Sequence, residues 1–317
     1  MIAEKTRFGL LIAVLPLLIL LLIACQPSPP STTTKPEVPL PPALPTTKVK
    51  VIKDVGYGQG GDEVLKLDIY LPEVPAATPM PAVIWIHGGG WQGGDKYPGR
   101  IRLLAERGFF GASINYRLSD IAPFPAAVED CKLAVRWLRA NAEKYNVDPE
   151  RIGVWGGSAG GHLVMMVGSA DETAGLEGKG GLAKFSSRVQ AVCAYYGPSD
   201  FNAIGSPRSN SAHVKFLGGT IEEIPDIYTL ASPVTYVTPD DPPLLLVHGD
   251  LDRTVPFNQS EIMLKAYQQA GIEATLIKVS GAGHGFKPAA EGPVSHSNEK
   301  IGQIVLDFFV RHLLGSE

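Results

Sequence analysis

One serine sits among four glycines in Arg151-Ile-Gly-Val-Trp-Gly-Gly-Ser-Ala-Gly-Gly-His162, and a serine so placed can serve as a nucleophile. The run Ile152, Val154, Trp155 ahead of Ser158 reads as a short strand, and Leu163 to Val167 behind it as a buried helix. Gly156, Ser158 and Gly160 spell Gly-x-Ser-x-Gly, the nucleophile elbow, in which the serine occupies a strained strand-to-helix turn. Small neighbours are needed there because strand and helix approach closely. The Ala159 amide opens the helix and points where an oxyanion would form. Taken alone, the pentapeptide is also compatible with an ordinary glycine-rich turn, since the chain has 35 glycines. Its context has to decide.

A serine hydroxyl needs a base to take its proton, and the base needs an acid to orient it. On an elbow of this kind the chain order is Ser, then Asp or Glu, then His. Three histidines stand late enough: His284, His296 and His312. His312 falls in an amphipathic terminal helix and is expected at the surface, and His296 lies in a polar, Ser-rich loop. His284 stands in Gly281-Ala-Gly-His-Gly-Phe286, just after a strand, where glycines let the side chain reach across the sheet end. It is the candidate base; otherwise it is a turn histidine bonded to backbone. The acid is sought in His248-Gly-Asp-Leu-Asp-Arg-Thr-Val-Pro256, where Asp250 and Asp252 compete. Asp250 follows the strand at once and suits a turn brace. Asp252 lies further out, where the loop can aim it at His284, and is the preferred candidate.

The third component is a cradle. His87-Gly88-Gly89-Gly90-Trp91 follows an apolar strand, and consecutive glycines expose backbone amides to a ligand. Gly89, Gly90 and Ala159 are the expected oxyanion donors, with Gly88 making the turn and His87 bracing it. A phosphate loop is the competing reading, but the Gly-Lys-Ser/Thr ending and the Gly-x-Gly-x-x-Gly spacing are both missing.

These groups need a scaffold, and the remaining text supplies alternating strands and helices. Strands are expected at Lys48–Tyr57 and Leu65–Leu71, joined by a Gly-Gly-Asp turn, and then at Ala82–His87, Phe109–Asn115, Ile152–Trp155, Val189–Tyr196, Leu244–His248 and Ala274–Val279. Helices are expected at Ile101–Arg107, over a single long span Pro125–Tyr145 with Val128, Cys131, Val135 and Leu138 on one face, at Gln259–Ala270 and at Lys300–Leu314. Such alternation means a largely parallel sheet with ligands at the carboxyl ends of its strands. Cys131 and Cys193 fall in a helix and a central strand and are expected as buried free thiols.

The amino-terminal segment reads as an address. Residues 1–24 have a charged head (Lys5, Arg7) and an apolar run broken by Pro16, marginal against the roughly 20 residues of a bilayer span. Leu22-Ile23-Ala24-Cys25 resembles a bacterial lipoprotein signal, which implies a lipid on Cys25 that anchors the exported protein at the outer face of a membrane. Residues 25–47 are rich in Pro, Ser and Thr and read as a linker; residues 48–317 suit one α/β domain. A net charge of −4 offers no basic field for nucleic acid. No short-spaced His/Cys cluster suggests a metal.

From about Val51 to Leu314 the chain resembles an α/β-hydrolase esterase: a mostly parallel sheet with helices on both faces. It is similar to the hormone-sensitive-lipase-like carboxylesterases, above all the bacterial branch with feruloyl and acetylxylan esterases. The matching text is His87 to Trp91, Asn115-Tyr-Arg117, Pro125 to Asn141, Gly156 to Gly161, Ser232-Pro-Val234, His248 to Pro256 and Gly283-His-Gly-Phe286. The resemblance implies Ser158 as nucleophile, Asp252 as acid, His284 as base, and Gly89, Gly90 and Ala159 as oxyanion donors. It implies a small or polymer-borne ester as substrate and no cofactor. Lipase-like members carry roofing helices before the first strand, and here a linker stands in that place. A roof would have to come from 171–188 and 199–238, the second with Phe201, Phe216, Leu217 and Tyr228; a plain surface loop is the alternative. An amide hydrolase of the same fold and a non-catalytic binding protein are the rival functions. His162, one turn past the serine, suits a pocket wall or helix packing equally, and Asp130 suits a buried brace or a solvated face.

Overall fold

The computed structural model describes Met1 and residues 46–315, apart from 75, 97–99 and 205–210. The chain divides into two units, Met1–Val38 and Pro39–Glu317, and everything below concerns the second. The expected signal, the linker up to residue 45 and Cys25 lie outside the described residues. Among those described, no helix is long and apolar enough to cross a membrane.

The elements run β1 (Val49–Gly60), β2 (Glu63–Pro72), β3 (Met80–Ile86), α1 (Arg102–Ala105), β4 (Phe110–Ile114), α2 (Ala126–Ala140), α3 (Ala142–Tyr145), β5 (Val147–Gly157), α4 (Ala159–Ser169), β6 (Ala191–Tyr195), α5 (Ala212–Leu217), α6 (Pro225–Leu230), β7 (Leu244–Gly249), α7 (Asn258–Ala270), β8 (Ala274–Val279) and α8 (Asn298–Leu313). The strands form one eight-stranded sheet in the order β1-β2-β4-β3-β5-β6-β7-β8. β1 and β2 are the expected hairpin, β2 meets β4 antiparallel, and every other pairing is parallel. One row of register crosses the sheet through Trp85, Trp155, Cys193, Leu245 and Thr275.

Strands buried on both faces read as continuous apolar runs, and alternate residues serve opposite layers. Ala82, Ile84, Ile86, Ile152 and Val154 join a core with α2, α4 and α7. Val83, Trp85 and Trp155 join a second core with α1 and α8. The sheet is therefore covered by helices on both faces. Its parallel strands all end at one edge, and the loops after β3, β5, β7 and β8 carry the glycine cradle, Ser158, Asp252 and His284 to that edge. Cys131 and Cys193 are buried free thiols.

Several local expectations need correction. The long helix from Pro125 to Tyr145 is two helices, because Asn141 leaves helical geometry at φ −109° and ψ 13°. Its side-chain amide donates to the Trp137 carbonyl (2.8 Å), competing with the backbone for the same acceptor. α1 is only Arg102–Ala105. β5 is longer than the expected Ile152–Trp155: it starts at Val147 and contains Asp148-Pro149-Glu150, where the register to β3 shifts. His312 is half-buried rather than freely exposed; it packs on Phe308 (ring centroids 4.7 Å) with Nε2 3.5 Å from Glu273.

The described residues of 199–238 form a folded cap rather than a surface loop. Phe201, Phe216, Leu217 and Tyr228 are buried. Phe216 stacks on Trp91 of the cradle (4.4 Å, 12°). α4 holds this cap from below: His162 Nε2 donates to the Ala231 carbonyl (2.8 Å) and Ser169 Oγ to that of Pro233 (3.1 Å). His162 thus belongs to helix packing, and Asp130 is a buried brace whose carboxylate grips Arg117 through its Nε and Nη2. The other stretch considered for a roof, 171–188, is tied down by Glu177, which pairs with the buried side chains of Lys132 (2.7 Å) and Arg136 on α2.

Candidate active site

Ser158 stands between β5 and α4 with φ 58° and ψ −121°, a backbone that a side-chain-bearing residue adopts only under constraint. Its amide donates to the Tyr195 carbonyl (2.9 Å), and its carbonyl accepts from His162 N–H (3.0 Å), so the strained turn is tied on both sides. The glycines around it are sterically required. A methyl group on Gly160 would overlap the Ile86 carbonyl oxygen and lie 2.7 Å from that of His87; on Gly161 it would lie 2.5 Å from the Tyr195 carbonyl oxygen. Helix α4 can reach the strand ends only because those positions carry no side chain.

His284 follows β8 and is flanked by Gly283 and Gly285, the latter left-handed at φ 73°. Its Nε2 lies 3.0 Å from Ser158 Oγ, and its Nδ1 lies 2.7 Å from Asp252 Oδ2. A carboxylate can only accept, so the proton sits on Nδ1 and leaves Nε2 free to accept from the serine hydroxyl. Asp252 is fixed from several directions. Its Oδ1 accepts from the amides of Thr254 (2.8 Å) and Val255 (3.0 Å), and its Oδ2 lies 3.5 Å from His248 Nε2. Burial by itself would raise its carboxyl, but hydrogen bonds from His248, His284 and the Val255 and Thr254 amides outweigh that and hold it well below the usual carboxylate range. The competing Asp250 points elsewhere: its Oδ1 accepts from Gly281 N–H (2.8 Å) and braces the loop that carries His284.

The glycine cradle lies against Ser158. A methyl group on Gly88 would come 2.7 Å from the Gly157 carbonyl oxygen and 3.2 Å from Ser158 Cβ. Gly89 and Gly90 are left-handed at φ 117° and 59°, and Trp91 is also left-handed at 56°. Among the described residues, neither the Gly89 nor the Gly90 N–H donates to a protein acceptor. His87 braces the turn: its Nδ1 donates to the Gly88 carbonyl (2.7 Å), and its ring stacks on Tyr116 (4.4 Å), whose hydroxyl donates to the His87 carbonyl (3.0 Å).

The structure thus brings Ser158, Asp252, His284 and the Gly88–Gly90 loop together. Ala159 opens α4 beside them, while Cys25 lies outside the described residues. Sequence reasoning passed over three supports of the site. His248, at the end of β7, donates to the Val255 carbonyl (3.0 Å) and accepts from Ser260 Oγ (2.7 Å), which shapes the Asp252 loop. Its place in His248-Gly-Asp-Leu-Asp252 was a usable signal. Tyr196 packs on His284 and Phe286 on Tyr196, both with left-handed backbones, and nothing in composition spells such a conformation for an aromatic residue.

Comparison with known proteins agrees with this architecture. A family model described as BD-FAE matches residues 67–267, a span with Ser158, Asp252 and the cradle that stops short of His284. Esterase LipQ of Mycobacterium tuberculosis is 32% identical over 265 residues, covering 80% of this chain and 61% of that protein. Esterase LipC of the same organism is 31% identical over 252 residues, covering 75% and 62%. The chain therefore spans about three fifths of the length of the curated relatives it matches. Among solved structures, a truncated carbohydrate esterase from gut microbiota superposes with a TM-score of 0.74 at 32% identity, over 86% of this chain and 99% of the other. Native esterase 2 of Thermogutta terrifontis superposes with a TM-score of 0.68 at 28% identity, over 87% and 95%. With the family match covering more than half of its length on an α/β-hydrolase fold, the chain belongs to the BD-FAE family.

Proposed function

We propose that this protein is a serine carboxylesterase that cleaves short-chain, acetyl or aryl carboxylic esters through an acyl-enzyme. The observation that carries this reading is the relay from Asp252 Oδ2 through His284 to Ser158 Oγ, at 2.7 and 3.0 Å, beside the glycine cradle. His284 Nε2 takes the proton as Ser158 Oγ attacks the ester carbonyl, and Asp252 stabilises the imidazolium that results. The carbonyl oxygen becomes an oxyanion facing the Gly89, Gly90 and Ala159 amides, where one lost donor typically costs about 3 kcal/mol of transition-state stabilisation. The alcohol leaves with the proton from His284. Water then attacks the acyl-enzyme by the same steps and regenerates Ser158.

The names of similar proteins support an ester over an amide, and small acyl groups over long ones. Both Mycobacterium tuberculosis relatives are named esterases, and the Thermogutta terrifontis esterase was solved with propionate and with butyrate. The neighbour from gut microbiota, a carbohydrate esterase, favours an acyl group carried on a saccharide. The test is a graded panel from 4-nitrophenyl acetate to the dodecanoate, with methyl ferulate, acetylated xylan and an anilide, run beside Ser158→Ala. Cleavage of short esters that vanishes in Ser158→Ala is expected. Equal activity in the variant, or cleavage of the anilide alone, would overturn the reading.

We also propose that Cys25 bears a lipid and holds the protein at the outer face of a membrane, on the strength of Leu22-Ile23-Ala24-Cys25 behind a charged head and an apolar run. Cell fractionation checks it. Wild type should sediment with membranes, and a Cys25→Ser variant that sediments equally well would refute it.

A further inference from the structure

We propose that Tyr196 is a positioning residue for this reaction: its ring, turned back by a left-handed backbone, wedges between Gly157 and His284 and sets how His284 Nε2 meets Ser158 Oγ. The inference rests on the serine-esterase reading above.

Three independent features converge on it. The first is conformation. Tyr196 directly follows β6 with φ 35°, and a bulky aromatic residue in that region is an outlier that neighbours must impose. The flanking backbone shows what imposes it. Tyr195 O accepts from the nucleophile's own amide (2.9 Å), and Tyr196 N–H donates to the Val247 carbonyl (3.0 Å) on the strand that leads to Asp252. The dipeptide is stitched between the strand that carries the nucleophile and the strand that carries the acid.

The second feature is where the ring goes. Its centroid lies 4.6 Å from that of His284, with the planes inclined at 59°. On its other side it closes on Gly157: a methyl group there would stand 3.4 Å from the Tyr196 hydroxyl oxygen and 3.5 Å from Cε2. Tyr196 therefore packs on the base itself and lies where any side chain on the residue before Ser158 would have to go. The hydrogen bonds at Nδ1 and Nε2 hold His284 in its ring plane, but they leave rotation about the line through those nitrogens to packing. Tyr196 supplies that packing.

The third is the backing. Phe286, two residues past the base and itself left-handed at φ 61°, sets its ring 4.8 Å from Tyr196 at 72° and 5.0 Å from Tyr195 at 76°. Two aromatic residues on separate loops thus spend unfavourable backbone geometry on one contact, and the loop bearing His284 is clamped through it. Nothing in this account needs the phenol oxygen. The flat ring is the working part.

The separation of roles makes the test specific. The full-length protein would carry Tyr196→Phe, Tyr196→Leu or Tyr196→Ala. For each, kcat and KM on 4-nitrophenyl acetate, thermal unfolding, and the low-field proton resonance of the His284–Asp252 hydrogen bond would be measured. Tyr196→Phe should stay within roughly three-fold of wild type, whereas Tyr196→Ala should lose up to about 100-fold in kcat with little change in KM, the penalty expected when reacting groups are slightly misplaced. Tyr196→Leu keeps bulk without a flat face; it should fall between them, and it serves if the alanine variant does not fold. The low-field resonance should survive in Tyr196→Phe and broaden or vanish in the other two. Leucine and alanine variants that keep wild-type kcat and a sharp resonance, whatever their melting temperature, would overturn the proposal. So would a Tyr196→Phe variant as slow as Tyr196→Ala. A wild type that cleaves no ester would instead sink the esterase reading, while the resonance still decides whether Tyr196 positions His284.

Discussion

Acid should weaken this protein through a histidine that takes no part in the proposed chemistry. His162 is fully buried among Trp91, Phe201 and Phe216, donates from Nε2 to Ala231, and leaves Nδ1 enclosed without a partner. Burial lowers its pKa from 6.5 to about 4; the bond to the Ala231 carbonyl opposes the shift, and nearby His213 adds to it. Above pH 6.5 both folded and unfolded chains leave it neutral, and its titration contributes nothing. As pH falls through 6.5 the unfolded chain takes up a proton that the folded protein refuses, so stability drops until about pH 4, below which both forms are protonated. The gap between 6.5 and about 4, at about 1.4 kcal/mol for each pH unit, amounts to about 3 kcal/mol. Replacing His162 by Gln removes the titration and keeps a donor for Ala231. At neutral pH the variant should be less stable by about 2 kcal/mol, for the packing lost in the aromatic cluster. By pH 4 the order should reverse, the difference having moved by about 3 kcal/mol. Urea unfolding of both proteins across that range measures it, and contributions from groups not coupled to His162 cancel in the difference. A difference that stays constant with pH would mean that water reaches His162 in the folded state, and the sealed cluster under the cap would be wrong.

Two further outcomes follow from the packing. Burial raises the Asp241 carboxyl to about 6, against opposing hydrogen bonds from Thr238 and the charge of Arg188, so the folded protein keeps a proton that the unfolded chain releases. Its contribution is full below 3.8 and is lost as pH rises through 6, so Asp241→Asn should gain melting temperature relative to wild type at pH 8 but not at pH 4. Gly160→Ala should fail to accumulate as folded protein, because its methyl group would overlap the Ile86 carbonyl oxygen, whereas Gly93→Ala, with open space at that position, should express and melt like wild type.

Much of the site could be read in advance because its parts are spelled by steric necessity. A serine on a tight strand-to-helix turn needs glycines on both sides, a backbone cradle needs consecutive glycines, and a base reaching over a sheet end needs Gly283 and Gly285. The choice of Asp252 over Asp250 rested on loop reach, and the structure places Asp252 at His284 and Asp250 on the Gly281 amide. What stayed hidden depends on long-range contact. Sequence reasoning assigns Lys132 and Arg136 no place, and the structure buries both because Glu177, more than forty residues later, folds back to pair with them. The break at Asn141 turns on a single side-chain hydrogen bond that periodicity does not register. The cap was undecidable from its text, since Phe201, Phe216 and Tyr228 become core only once Trp91 and His162 are beneath them.

The span between Ser158 and His284 has a consequence in time as well as in space. They are 126 residues apart, and β6, β7 and β8 must all be added to the sheet between them. A chain growing or refolding from its amino-terminal side completes the elbow long before the group that can awaken it. On the chemistry proposed above, Ser158 lacks its base until β8 is laid down. Fraying at that edge would then silence the site while Ser158 keeps its place on the elbow. On the same reading, a half-made copy cannot form the acyl-enzyme, and reactivity arrives only with the last strand.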